Sequence, residues 1–152
     1  EVETLDFLED EYVNKNQNKK VYSLIFFVTP LISNIVSGAI YASALGLSVQ
    51  MESFMSLFFC ILFFFLGNYL PKCKKNYTIG IKIVWTLDDE ENWNATHRFA
   101  GKIWTASSLL FFMFIFFPKI AMLLSLILIG IITLLPVIYS YIFYRKKQKK
   151  TE

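Results

Sequence analysis

GNYLPKCKKNYTIGIKIVWTLDDEENWNATHRFAGK, residues Gly67 to Lys102, is a polar segment with an apolar run on each side. The run before it contains FFCILFFFL and the run after it LLFFMFIFF. Uncharged runs close to the ~20 residues that cross a hydrocarbon core read as membrane spans. A connector between spans needs only to be hydrophilic, yet this one gathers Asn68, Pro71, a lysine cluster, Gly80, Trp85, Trp93, His97 and Arg98. The pattern predicts membrane helices organised about one structured insert.

The insert divides at Trp85. Before it, Ile79, Ile81, Ile83 and Trp85 alternate with Gly80, Lys82 and Val84, a period-two pattern suited to an extended piece along a membrane surface. After it, Thr86 and Asp89 have the spacing of a helix start. Asp88, Asp89, Glu90 and Glu91 would fill a first turn where the helix dipole favours carboxylates. The helix is expected to begin near Leu87. At helical spacing Trp93, His97, Ala100 and Trp104 share one side, and Glu90, Asn94 and Arg98 share another. No Pro or paired Gly interrupts Asn92 to Phe117, so this helix is expected to continue into the next apolar run.

Working outward, 55% of the 152 residues are hydrophobic and 18% aromatic, and mean hydropathy is +0.48. That is too apolar for an ordinary soluble domain and predicts an integral membrane protein. Spans are expected at about 21–47, 53–70, 103–117 and 120–144, after a polar, amphipathic segment 1–20 and before a basic tail 145–152. The predicted fold class is all-α: an integral membrane bundle of four transmembrane helices with a structured cytoplasmic segment between the second and third. Pro30, Gly38 and Gly46, with Ser33, Ser37 and Ala44, give the first span a kink and a small-residue face suited to helix contact. Basic residues gather at Lys15–Lys20, Lys72–Lys82 and Arg145–Lys150, and no Lys or Arg lies between the first two spans. The positive-inside rule then puts both termini and the insert in the cytoplasm. Cys60, inside an apolar run, and Cys73, in the cytoplasmic insert, are both expected to be free thiols. The glycosylation patterns at Asn76 and Asn94 would go unused.

The chemistry-bearing residues have plain structural explanations too. A lone His97 without a second ligand at metal spacing makes a poor metal site, and no phosphate loop or nucleophile motif is present. No catalytic residue, cofactor or metal is expected. Asn68 near a span end is first a headgroup contact or carbonyl cap, Trp85, Trp93 and Trp104 are first interfacial anchors, and the acidic cluster first complements a helix dipole. Arg98 is placed to pair with Glu90 or Glu91 or to face an anionic partner. The lysines sit at membrane ends rather than on a recognition helix, so direct nucleic-acid binding is not expected.

Gly67, Asn68, Pro71, Lys72, Asn76, Gly80, Ile81, Trp85, Thr86, Leu87, Glu90, Trp93, His97 and Arg98 together resemble the motif of the SdpI-type membrane immunity proteins. The resemblance covers about a quarter of the chain. Lys82 stands where the family usually has Arg, losing the planar two-pronged donor, and Val84 stands where it usually has Pro. The resemblance implies a multi-pass protein of the bacterial cell membrane that protects the cell against a membrane-active peptide toxin. In some members the toxin-engaged state also captures a cytosolic repressor. The residues then expected to shape the insert or touch a partner or ligand are Asn68, Asn76, Lys82, Trp85, Trp93, His97 and Arg98. Longer members carry an additional N-terminal hairpin, and since the chain begins at Glu1 rather than Met it reads as a fragment or a processed product, which leaves open whether such a hairpin precedes it. The alternative is a small membrane transporter or lipid-substrate membrane enzyme, with Asn68, Lys82, His97 and Arg98 lining a pocket at the inner leaflet.

Overall fold

The computed structural model describes residues 19–48, 50–77 and 79–151, and all regular structure among them is helical. The amphipathic helix expected at Glu1 to Tyr12 lies outside these residues. α1 spans Lys19–Ala44, α2 Met51–Tyr69, α3 Val84–Leu87, α4 Glu90–Phe114 and α5 Pro118–Thr151. Among the described residues two segments, Met51–Lys72 and Pro118–Lys150, are long and apolar enough to cross a membrane.

α1 continues through Pro30 and stops where Gly46 turns left-handed at φ +83°. Leu47 N–H donates to Ala42 O at 3.1 Å and Gly46 N–H to Ser43 O at 3.0 Å, the paired bonds of a Schellman cap. The small-residue face expected to pack does not do so within the described chain. Ser33 and Ser37 are exposed, and a Cβ at Gly38 would meet nothing within 4 Å.

α4 is the central helix and touches both α2 and α5. Phe111, Leu128 and Ile132 form the buried centre, ringed by Phe59, Phe63, Trp104 and Ile129. Phe63 stacks on Phe111 at 5.4 Å and 5°, so the aromatic runs of α2 and α4 meet ring against ring. Farther along, the α2 and α4 backbones come into contact. A Cβ on Gly67 would lie 2.5 Å from Thr105 Oγ1 and 2.6 Å from its backbone N, while one on Gly101 would lie 2.6 Å from Gly67 O and collide with Pro71. Only glycine fits at either position, and the crossing fixes where the insert leaves α2.

Pro136 lies inside α5 and cannot donate to Ile132 O, four residues earlier. Trp104 Nε1–H takes that place from α4 at 3.0 Å. Outward positions such as Leu109, Phe116, Met122 and Leu123 are more than 60% exposed. A belt of that size needs an apolar surrounding.

Candidate functional site: a clasped polar insert

α2 ends in a single 3₁₀ turn, Leu70–Lys72, held at its start by Pro71. From there to Asp89 the chain has little regular structure, and its order comes from side chains bonding to backbone. Asn76 is buried and makes a miniature turn of its own. Its Oδ1 accepts from Ile79 N at 2.7 Å, and its Nδ2 donates to Lys74 O at 2.7 Å and Ile79 O at 3.1 Å. Such a side chain is not a glycan acceptor.

Cys73 lies beneath it, and Asn76 Nδ2 also approaches its Sγ at 3.4 Å. Burial pushes the Cys73 thiol up, against a smaller pull downward from that Asn76 contact. Cys60 and Cys73 are both free.

Trp93 and His97 are one turn apart on α4, fully buried, and stacked at 4.1 Å and 21°. Trp93 Nε1–H donates to Cys73 O at 2.9 Å, fixing the start of the insert to the start of α4. His97 fixes its middle: Nε2 accepts from Ile81 N–H at 3.0 Å, and Nδ1 lies 2.8 Å from Trp93 O. These partners require a neutral ring carrying its proton on Nδ1, donated to Trp93 O. Desolvation lowers the imidazole from 6.5 to about 4, outweighing the Trp93 carbonyl, which favours the charged form.

Gly80 bends over this stacked pair at φ +121°. A Cβ there would lie 2.5 Å from His97 Nε2 and 2.8 Å from the Trp93 ring. The position needs glycine both for its backbone angle and for the close approach.

Thr86 closes the second half of the insert. Its hydroxyl accepts from Ile83 N at 3.0 Å and lies 2.8 Å from both Ile81 O and Ile83 O. Those bonds shape the short α3, so Thr86 does not start the long helix. Asp89 does: its Oδ1 accepts from Glu91 N at 3.0 Å and its carbonyl from Trp93 N at 2.9 Å. α4 therefore begins three residues beyond the expected Leu87, with Glu90 and Glu91 in its first turn. The alternating stretch from Ile79 to Trp85 also differs from expectation, since Val84 and Trp85 already belong to α3.

The insert is tied to α5 by three contacts. Asn92, fully buried, donates from Nδ2 to Ser140 O at 3.1 Å, and its Oδ1 receives Thr96 Oγ1 at 3.0 Å and Ser140 Oγ at 3.2 Å. Trp85 packs against Tyr141 at 5.5 Å and Tyr144 at 6.0 Å, with its buried Nε1 left without a hydrogen-bond partner. Lys147 lies 2.8 Å from Asp89 Oδ2 and 3.0 Å from Glu91 Oε2. Burial pushes the Asp89 carboxyl up, but the Lys147 ammonium and the Glu91 backbone N–H outweigh it and hold the group below its ordinary value.

Of the seven residues expected to shape the insert or touch a partner, Asn76, Trp93 and His97 form its buried interior, and Trp85 bridges it to α5. Lys82 and Arg98 are exposed, with Lys82 Nζ donating to Tyr77 O at 3.2 Å. Arg98 forms no ion pair among the described residues, the carboxylate of Glu91 being engaged by Lys147 instead. Asn68 stands apart from the insert, donating back to Phe64 O inside its own helix at 2.7 Å. Sequence reasoning gave Cys73 and Thr86 other roles and missed Asn92, Thr96 and Ser140. A signal for two of them was present: Asn92 and Thr96 are four apart, one step along the helix from Trp93 and His97.

Among the described residues no group of three His, Cys, Asp or Glu side chains could hold a metal ion. His97 has both ring nitrogens engaged within the protein. The arrangement is a rigid scaffold with an exposed basic rim, and what it offers a partner is shape and charge.

A family model described as the SdpI/YfhL protein family matches residues 72–140. Those limits enclose the insert and its tie to Ser140, while Tyr141, Tyr144 and Lys147 lie beyond them. The immunity protein SdpI of Bacillus subtilis (strain 168) is 27% identical over 104 residues, 68% of this chain and 50% of the relative. The chain spans half the length of that relative. No solved structure matches the chain. The family match, the relative and the motif within the clasped insert make this chain similar to the SdpI/YfhL family over residues 72–140.

Proposed function

We propose that this chain is a four-span immunity protein of a bacterial cell membrane, protecting its host against a membrane-active peptide toxin. The observation that carries the reading is the clasped insert. Its motif residues, Asn76, Gly80, Thr86, Trp93 and His97, are spent on holding one loop shape, and they fall in the region matched by the family model. The name of the relative supplies the word immunity. In this reading both termini and the insert face the cytoplasm, because the basic clusters lie at that end.

A rigid insert tied to α5 by Asn92, Trp85 and Lys147 would move with that helix. Toxin engagement that favours one α5 position would then re-present the exposed Lys82 and Arg98 to a cytosolic protein such as a repressor. This works only if the toxin prefers one conformation over the other. The transporter or lipid-enzyme alternative calls for His97 to face a pocket, whereas its Nε2 accepts from Ile81 and its surface is fully buried.

Expression in a peptide-sensitive bacterium, scored as survival against a panel of membrane-active peptides, tests the proposal. Protection by the wild-type chain is expected, as is its reduction by Trp85→Ala and Arg98→Ala at unchanged protein level. Absence of protection across the panel would sink the immunity reading. Full protection by both variants would sink the assignment of these two residues.

A further inference from the structure

α2 and α5 both begin at the end of the bundle remote from the insert, and a cleft opens between them there. Met51, Glu52 and Met55 line one wall and Met122 and Ser125 the other, with Phe59 at its base. Phe59 packs in turn on Phe111 at 5.5 Å, so the floor is continuous with the core. Three of the chain's four methionines meet in this one place, from two helices. Methionine is unbranched and polarisable, and it is favoured where a surface must adapt to an apolar guest. The lining contains one ionisable side chain among the described residues, Glu52, and no ion pair to it forms among them.

We infer that this cleft receives an apolar segment of a peptide that carries an amine or guanidinium group, with Glu52 as the counter-charge. The inference deepens the immunity reading and rests on it for the peptide's identity as a toxin. Helix-dipole complementarity accounts for a carboxylate in the first turn of α2. It does not account for the convergence of the methionines. A phospholipid acyl chain would fit methionine walls, but its phosphate would be repelled by Glu52, whereas a cationic amphipathic helix satisfies both features.

The test uses the full chain in phosphatidylcholine nanodiscs. The probe is a fluorescent 18-residue amphipathic Leu/Lys helix, followed by anisotropy with empty discs subtracted. Saturable binding is expected, about tenfold weaker in Glu52→Gln. A probe with Ser in place of Lys should bind about tenfold more weakly to the wild type and show no difference between wild type and Glu52→Gln. Met55→Trp, which fills the cleft, should abolish binding, and Glu52→Gln keeps the test decisive if that variant misfolds. Equal binding by the wild type and Glu52→Gln would overturn the inference. So would equal affinity for the Ser probe, or a phospholipid that copurifies with the wild type and is lost in Met55→Trp. Survival assays separate the two levels of the reading. Protection that persists in Glu52→Gln and Met55→Trp leaves immunity standing and removes the cleft. Glu52-dependent binding without protection removes immunity and leaves the cleft.

Discussion

Protonating His97 should loosen the insert, and the size of the effect follows from its two bonds. The neutral ring accepts from Ile81 N–H and donates to Trp93 O. A second ring proton would aim N–H at N–H in a site with no exposed surface. The folded-state value of about 4 lies below the ordinary 6.5. Between those values the unfolded chain binds the proton more tightly, so stability rises with pH through this window. The contribution is complete above about pH 6.5 and is lost as pH falls to about 4, amounting to roughly 3 kcal/mol at 1.36 kcal/mol per unit. His97 is the chain's one histidine, so a single imidazole resonance reports its titration.

Thermal unfolding in detergent at steps from pH 7.5 to 4.5 should show the decline, and His97→Gln should be flatter across the same range while less stable at pH 7.5. Asp89 is held below its ordinary value of 3.8 and titrates beneath this window. An imidazole titrating near 6.5, or an unaltered pH slope in His97→Gln, would refute the reasoning.

Gly80→Ala should cost about 2–3 kcal/mol, since it adds a left-handed strain to a collision with His97 Nε2; faster proteolysis within the insert is the readout. Trp104→Phe should cost about 1–2 kcal/mol by stranding Ile132 O. Pro136→Ala returns a backbone N–H to that carbonyl, so the double variant should recover most of the loss in a mutant cycle measured by denaturation. Lys147→Gln should bring the Asp89 carboxyl back up, measurable by NMR titration, because its main stabilising partners include that ammonium.

The helical layout was legible because long uncharged runs and an unbroken stretch after Asn92 leave few alternatives, and α4 does run from the polar insert into the apolar core as expected. The shared side of Trp93, His97 and Ala100 was legible too, but all three are fully buried, so Trp93 is a core residue rather than the interfacial anchor expected first. The interior of the insert was not legible. Asn76 and Thr86 act through bonds to backbone atoms within five residues, and no periodicity encodes which side chain will close such a turn. The start of α4 was misread for the same reason, since the Thr86 hydroxyl that suits a helix cap is occupied at Ile81 and Ile83. Asn92 with Ser140 depends on a pairing 48 residues apart, and a polar residue in an apolar helix does not announce its partner.

The bare backbone contact between Gly67 and Gly101 makes a fulcrum of the place where those helices cross. Met51 lies 16 residues from Gly67, a lever arm of about 24 Å at 1.5 Å per residue. Rocking α2 by roughly 5° about that point would swing its far tip by about 2 Å while the atoms beside Gly67 scarcely shift. A guest wedged at the tip could widen that end by the breadth of a methyl group while the loop at the other end keeps its shape.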